Sequence, residues 1–193
     1  MTAILKVDTI QDTAGNNIIN ESSNTITIGA SGDTTNIVGT LQNNGAAVGG
    51  DNTPAFAVKL SGDQTISSAS ETKITFDSEL YDTDNAFASN KFTVPSGKGG
   101  KYFINLQTKL NVSTDYRGIS STIYKNGSAM QQIRSRIMFN STLLNDGDTT
   151  LAATGVLDLS ASDYIEGYAY IFSPDGGTIK VLADTYLTGF KLI

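Results

Sequence analysis

Bulky side chains are distributed along this chain in a way that limits where a hydrophobic core can form. The chain has 8 Tyr, 8 Phe and no Trp, and all of these aromatic residues lie after Pro54. Before Pro54 only aliphatic side chains supply apolar surface, in short runs separated by turn-forming Gly, Asn and Asp. A globular domain is therefore expected over residues 54–193, with a boundary near Gly49–Thr53.

Residues 1–53 contain short aliphatic runs, such as Thr25–Ile28 and Asn36–Leu41, that predict strands. Strands this short and without bulky side chains cannot build a core within one copy, whereas several copies winding round a shared axis can. The alternative is a disordered leader. Regularly placed Ile and Val and a low net charge favour the strands, because disordered segments have low hydrophobicity and high net charge.

Composition excludes several classes of function. Lys and Arg number 13 against 19 Asp and Glu, and the net charge of −6 has the wrong sign for neutralising nucleic-acid phosphates or anionic lipids. Cys and His are absent, which removes disulfides, the commonest general base and the commonest metal ligand. No basic-then-apolar leader and no membrane-length apolar run occur. We expect no nucleic-acid partner, no membrane insertion and no cleaved signal peptide.

Residues 54–193 show the alternation of half-buried strands. Between Gly99 and Leu110 large apolar side chains share one face, and the polar residues Asn105, Gln107 and Lys109 share the other; the apolar set is Tyr102, Ile104, Leu106 and Leu110. Asn126-Gly127 between two alternating runs predicts a tight hairpin. Eight to ten strands with short turns and no helical period predict a sandwich or barrel.

The closing segment, Asp163–Ile193, predicts two strands joined by a turn at residues 174–177. On the first strand one face is aliphatic and is assigned to the core together with Leu187 and Phe190; it consists of Ile165, Ala169 and Ile171. The other face carries Tyr168, Tyr170 and Phe172, an apolar patch that needs a cover. We predict that these aromatic residues line a threefold axis between subunits; the alternative is cover by the same chain.

Six short motifs occur in the order seen in the globular head of complement component 1, subcomponent q. They are residues 54–58, 74–77, 91–95, 100–103, 124–127 and 187–192. Residues 54–193 therefore resemble the complement-q and tumour-necrosis-factor superfamily. The resemblance implies an all-β, ten-stranded jelly-roll sandwich that assembles as a homotrimer on a stalk, with binding surfaces on loops. The stalk here is not collagen, because no Gly-X-Y period occurs.

Residues 1–53 resemble the openings of bacteriophage virion appendages, in which short β segments of three chains intertwine. The similar stretches are Leu5–Ile10, Ile26–Thr34 and Ile37–Leu41. With the head, this resemblance implies a virion-located tail or head fibre that contacts other virion proteins through residues 1–53 and binds a host surface glycan or protein. The alternative is a structural decoration or cap protein of the capsid, tail or baseplate that has no receptor.

Loops of the head supply the remaining candidate residues. Phe87, Tyr116 and Asn145 lie in polar loops at residues 82–90, 111–118 and 140–149, and are predicted to face a receptor. Asp82 and Asp84 share one loop and are candidates for calcium, although Asp is also an ordinary turn residue and no EF-hand pattern follows. No spacing singles out a catalytic carboxylate pair, so we predict a non-enzyme without a cofactor.

Overall fold

A computed structural model describes residues 9–11, 13–15, 17–22, 25–28, 31–39, 41–43, 46–48, 52–112, 115–143 and 147–192. The chain divides into two compact units, Met1–Gly49 and Gly50–Ile193, so that the division falls at the glycine-rich stretch before Pro54. Within the ranges given above, all regular structure is β-strand, and no helix is long and apolar enough to cross a membrane.

The first unit contains a three-stranded antiparallel sheet and a short hairpin. The sheet has the order β1-β2-β3, and the hairpin pairs β4 with β5. The bounds are Thr9–Gln11 (β1), Asn17–Ser22 (β2), Thr25–Ile28 (β3), Gln42–Asn43 (β4) and Ala46–Ala47 (β5). Residues 36–39 do not form the strand predicted for Asn36–Leu41, because none of the described strands pairs with them.

Aliphatic side chains of the first unit stay exposed. Ile26 is 68% exposed and Val38 is 94% exposed, and Ile28, Ile37 and Leu41 are also open to solvent. Apolar side chains on successive strands are normally placed so that one face is covered. One copy of this unit therefore leaves apolar surface that another surface can bury.

The described residues of the second unit form thirteen strands. Their bounds are Ala55–Lys59 (β6), Gln64–Thr65 (β7), Thr72–Lys73 (β8), Ser78–Asp82 (β9), Phe87–Ala88 (β10), Lys91–Thr93 (β11), Gly100–Val112 (β12), Tyr116–Lys125 (β13), Ser128–Leu143 (β14), Gly147–Leu159 (β15), Tyr164–Phe172 (β16), Ile179–Val181 (β17) and Tyr186–Lys191 (β18).

These strands form two antiparallel sheets that face each other. Sheet one has the order β10-β11-β16-β13-β14, with the short β8 beside β16. Sheet two has the order β9-β6-β18-β12-β15. The short β17 pairs with the C-terminal end of β12, and the short β7 pairs with β17. Five strands in each sheet thus make a ten-stranded sandwich, and three short strands extend its edges.

The core lies between the inner faces of the two sheets. On β12 the predicted apolar face is confirmed, since Tyr102, Ile104 and Leu106 are fully buried. Two buried hydroxyls meet across the core, where Thr108 Oγ1 and Ser121 Oγ are 2.7 Å apart, so each polar group has a partner. Other fully buried members include Phe56, Ile74, Phe92, Ile119, Ile123 and Leu159.

The closing strands confirm most of the predicted inner face. Ile165, Ala169, Ile171 and Leu187 are all buried. The assignment of Phe190 to the core is wrong: Phe190 lies three residues after Leu187, and the period of two in a strand places it on the opposite face. Its ring contacts Phe103 on the outer face of sheet two, with ring centroids 5.3 Å apart.

The predicted hairpin at Asn126-Gly127 is confirmed. Lys125 pairs with Ser128, and Asn126 and Gly127 have φ of 51° and 76°, the left-handed pair that a two-residue type I′ turn requires. The long polar loop predicted for residues 140–149 is shorter than expected. β14 continues to Leu143 and β15 begins at Gly147, because β14 stays paired with β13, and β15 with β12, almost to the connection.

Gly189 should be intolerant of a side chain. A Cβ at this position would lie 2.6 Å from Ile104 Cδ1 and 2.9 Å from Phe56 Cε1. Because the core is close-packed, the two side chains cannot both move aside. We expect Gly189→Ala to lower the free energy of unfolding of the full chain by about 1 to 3 kcal/mol in urea titrations. Gly62→Ala is the control, since a Cβ at residue 62 would meet no atom within 4 Å; an equal loss in both variants contradicts the packing argument.

Asp163 should make stability depend on pH in the acid range. Its carboxylate accepts bonds from Lys125 Nζ at 2.8 Å, Asn126 Nδ2 at 2.7 Å and the Ser160 N–H at 2.8 Å, and these lower its pKa from 3.8 to about 2. A lowered folded-state pKa stabilises the fold above pH 3.8, and this contribution is lost as pH falls towards about 2.

We therefore expect Asp163→Asn to lower the free energy of unfolding at neutral pH by about 1 to 2 kcal/mol, allowing for solvent screening of this partly exposed group. The difference between the two proteins should shrink as the pH approaches 2. Denaturant titrations at several pH values measure both quantities. A difference that stays constant across this range contradicts the assignment.

Candidate binding and assembly surfaces

A cleft opens at one edge of the head, between β9 of sheet two and the β10–β11 hairpin of sheet one. Its volume is about 230 Å³. Apolar side chains form its floor, and polar groups form its rim. The floor consists of Val58, Phe76 and Phe87, and the rim of Asp77, Ser78, Glu79, Ala88, Ser89 and Asn90. The structure thus places Phe87, which the sequence assigned to a receptor-facing loop, at this cleft.

Ring contacts hold Phe87 in place. Its ring stacks on Phe56 with centroids 5.9 Å apart and meets Phe76 edge-on at 6.3 Å. The backbone N–H of Phe87 donates to Asp82 Oδ2 at 2.7 Å. Because Phe56 and Phe76 are buried, the half-exposed Phe87 ring is fixed from behind and presents its remaining surface to the cleft.

The two predicted calcium candidates, Asp82 and Asp84, make hydrogen bonds within the loop that leads to Phe87. Asp82 accepts from the backbone N–H groups of Asp84 and Phe87, which is the usual way in which Asp stabilises a turn. Asp84 accepts from the Thr83 hydroxyl at 2.8 Å and lies 3.9 Å from Lys98 Nζ. Across the described ranges, no group of three acidic side chains could hold a metal ion, and calcium at this loop stays a prediction.

The hairpin that forms one side of the cleft is rigidly built. Ser89 and Asn90 have φ of 52° and 59°, the two left-handed residues of a type I′ turn. Lys73 Nζ donates to the Ser89 carbonyl at 3.1 Å and pairs with Glu166 Oε1 at 2.6 Å. Since Glu166 is buried on β16, this lysine ties the turn to the middle of sheet one.

The outer face of sheet one carries the three aromatic residues that the sequence assigned to a threefold axis. Tyr168 stacks on Tyr124 of the same chain with ring centroids 3.8 Å apart. Burial, and then the nearby Glu166, raise the pKa of Tyr168. Tyr170 and Phe172 are half-buried on the same strand. The same chain therefore covers part of this patch, and its role as a trimer contact stays a prediction.

An ion pair lies beside these aromatic residues. Arg134 Nη2 is 2.7 Å from Glu71 Oε1 and donates to Ser120 Oγ at 3.1 Å. Burial raises the pKa of Glu71, and the adjacent Arg134 opposes that rise. Glu71 precedes β8, so the pair fastens the segment before that strand across sheet one.

The outer face of sheet two carries a continuous row of apolar side chains, which we call the apolar row. It comprises Val156, Phe103, Phe190 and Ala55, which lie directly opposite one another on β15, β12, β18 and β6. Val156 is 54% exposed, and the two Phe rings are half-buried. Four neighbouring strands thus expose one apolar stripe.

Polar rows lie on one side of the apolar row, and charged residues lie on the other. In the first polar row, Asn105 pairs with Thr154 and Thr188, and the Thr154 hydroxyl donates to Asn105 Oδ1 at 2.6 Å. In the second, the Tyr186 hydroxyl donates to Gln107 Oε1 at 3.0 Å, and Lys59 lies opposite Tyr186. On the other side, Lys101 pairs with Asp158. The area without charge next to the apolar row therefore extends in one direction only; depletion of charge is characteristic of protein–protein interface cores.

Of the other two predicted loop residues, the structure describes only Tyr116, which is buried. Tyr116 is 4% exposed, its ring packs against Phe139 with centroids 5.9 Å apart, and its hydroxyl lies 3.3 Å from Thr149 Oγ1. This places the Tyr116 side chain inside the head instead of on a receptor-facing loop. Asn145 lies outside the described residues.

Sequence patterns did not reveal the apolar row or the part of the cleft rim at residues 77–79. Phe103 carried a usable signal, because it has the same parity along β12 as the polar Asn105 and Gln107 and must therefore point outward. Asn90 lies in the loop 82–90 that was predicted to face a receptor, but its position beside Glu79 depends on which strands meet at the edge of the sandwich.

Solved structures of low sequence identity share the fold of the second unit. Eiger TNF from S. frugiperda has a TM-score of 0.52 at 14% identity, over 72% of this chain and 90% of that chain. Murine APRIL has a TM-score of 0.50 at 15% identity, over 72% and 99%. The globular domain of zebrafish complement 1qA protein has a TM-score of 0.47 at 15% identity, over 73% and 98%. No protein-family model and no curated protein matches the sequence.

The likeness to Eiger TNF and murine APRIL, with the ten-stranded order of the two sheets, identifies the fold. The second unit is an all-β jelly roll of the tumour-necrosis-factor type, which confirms the fold predicted for residues 54–193. Identity at this level establishes the fold alone, because one jelly roll serves many functions.

Proposed function

We propose that this chain is a homotrimeric bacteriophage fibre protein: residues 1–53 attach it to the virion, and the jelly-roll head binds the host cell surface. The observation that carries the proposal is the exposed apolar row on the outer face of sheet two, which has an uncharged polar row along one side. An exposed face of this kind needs a cover, and copies of the same chain are the cover that the complement-q and tumour-necrosis-factor resemblance implies.

The apolar row supports self-association better than the aromatic patch on sheet one does. Val156 is more than half exposed, whereas Tyr168 already has the Tyr124 ring against it. On one side of Val156 and Phe103, the neighbouring rows carry amide and hydroxyl groups that are bonded within the face, so that little polar desolvation opposes contact on that side. We therefore place the subunit contact on sheet two and keep the sheet one patch as the tested alternative.

Exposed aliphatic residues in the first unit support the stalk assignment. Ile26, Ile28 and Val38 point to solvent in one copy, and three intertwined copies would bury them. The same stretches carry the resemblance to bacteriophage virion appendages. Attachment to the virion through residues 1–53 is proposed on that resemblance.

Binding without catalysis is the role that the carboxylates Asp63 and Asp77 support; Glu71, whose pKa burial raises, is held in an ion pair by Arg134. Asp63 accepts from the Ala183 N–H, and Asp77 accepts from the Ser61 hydroxyl and N–H; these bonds lower the pKa of both carboxyls. A general acid needs the opposite shift, towards neutral pH. Three linked heads instead gain avidity, so that a modest affinity per head suffices for attachment.

Light scattering on the full chain should give a mass three times the 20.4 kDa of one chain. Val156→Asp should dissociate the trimer, because it would bury an unpaired carboxylate in the contact. Leu80→Asp is the matched control: Leu80 is 60% exposed on the edge strand β9, outside the apolar row, and its variant should stay trimeric.

Tyr170→Asp tests the sheet one alternative in the same experiment. Dissociation of Tyr170→Asp but not of Val156→Asp would move the contact to the aromatic patch. A wild-type chain that is monomeric at micromolar concentration would overturn the trimer altogether.

Host binding is tested by competition. The purified full chain should stain host cells and block virus adsorption, and the dissociated Val156→Asp variant should need about 100-fold more protein for the same block because avidity is lost. Protein that binds only virions stripped of this component, and never cells, would instead support the structural decoration or cap role.

A further inference from the structure

We propose that the cleft between β9 and the β10–β11 hairpin is a saccharide site that takes one neutral, hydroxyl-rich ring, such as a hexose unit of a cell-surface polysaccharide. The inference rests on the proposed host-surface role and gives that role a location and a ligand class. Its basis is the combination, within about 230 Å³, of an apolar floor and a rim of hydrogen-bonding groups.

The floor matches the apolar face of a pyranose ring. Because Val58 and Phe76 are almost fully buried, the half-buried Phe87 ring, which lies against Phe76 and Phe56, supplies most of the apolar surface that a ligand can reach. Ligand sites are typically apolar surfaces with a few placed polar groups that orient the ligand. The C–H groups on one side of a sugar ring can contact this floor while its hydroxyls stay at the rim.

The rim offers mainly hydrogen-bond acceptors to hydroxyl groups. Asp77 is held by Ser61, whose N–H and hydroxyl donate to its two carboxylate oxygens at 2.7 Å and 2.6 Å. Each carboxylate oxygen has a second lone pair, so Asp77 can still accept from a ligand. Glu79 adds a second carboxylate, and Asn90 adds a carboxamide that both donates and accepts.

Charge selects against acidic ligands. None of the nine residues lining the cleft is basic, while two are carboxylates. The nearby Lys73 is engaged by Glu166 and by the Ser89 carbonyl. An anionic sugar or a phosphate would meet two negative charges without a compensating cation, whereas a hydroxyl gains a charge-assisted hydrogen bond.

The cleft is preorganised and remains accessible in the proposed trimer. The left-handed turn at Ser89 and Asn90 and the Asp82 bond to Phe87 fix one wall, which lowers the entropy cost of binding. The cleft lies at the β9 and β10 edge of the sandwich. The most exposed member of the apolar row, Val156, lies on β15 at the opposite edge of sheet two.

Ligand-observed NMR of the full chain tests the site. The probes are methyl glycosides of neutral hexoses and N-acetylhexosamines, with N-acetylneuraminic acid as the anionic comparison. We expect saturation transfer to at least one neutral glycoside at millimolar concentration and none to the anionic sugar. Asn90→Gly, which keeps the left-handed turn and removes only the carboxamide, should weaken binding by about tenfold.

Three further variants locate the bound sugar. Glu79→Gln should also weaken binding, because it removes the rim charge without changing shape, and Ala88→Trp should abolish binding by filling the cleft. Asp175→Asn changes an exposed carboxylate outside the cleft and should bind like the wild type. Binding that survives Ala88→Trp, preference for the anionic sugar, or no binding of any neutral glycoside would each overturn the site.

Adsorption competition separates this inference from the proposed function. If the chain blocks adsorption but binds no neutral glycoside, the receptor role stands and the saccharide site fails. If glycosides bind in the cleft but the chain neither stains cells nor blocks adsorption, the site stands and the host-surface role fails.

Discussion

Backbone pairing of β18 with both β6 and β12 is the constraint on which the rest of the head depends. The strand lies far along the chain from β6, with a sequence separation of 132 between Phe56 and Thr188, whose hydroxyl donates to the Phe56 carbonyl. Its register places Leu187 and Gly189 inside and Thr188 and Phe190 outside. One register therefore sets both the tight core contact at Gly189 and the apolar row at Phe190.

The two outer faces of the sandwich differ because the same chain crosses only one of them. On sheet one, the segment around β8 supplies Glu71 to Arg134 and Lys73 to Glu166, so that buried charges have partners within one copy. On sheet two, the described residues place no comparable segment over Val156 and Phe103. The proposed subunit contact therefore lies on sheet two, and the proposed ligand site lies at the edge where both sheets end.

Local patterns predicted those features that depend on neighbours in the sequence. The alternation from Gly99 to Leu110 gave the correct inner face of β12, and Asn126-Gly127 gave the correct hairpin, since both depend on backbone geometry within a few residues. Predictions from local patterns were wrong where the face of a strand residue or the packing partner of a side chain was misjudged. Phe190 was placed inside although it has the opposite parity to Leu187, and Tyr116 was placed in an exposed loop although its ring is buried against Phe139.

By itself, the sequence determined the all-β class, the division before Pro54 and the absence of disulfide and histidine chemistry, because composition and the period of two decide these without knowledge of strand partners. Only the tertiary structure decided which side chains meet. The apolar row joins four strands, and the cleft joins Val58, residues 76–79 and residues 87–90. Cross-strand neighbours are set by long-range register, which no local stretch of sequence contains.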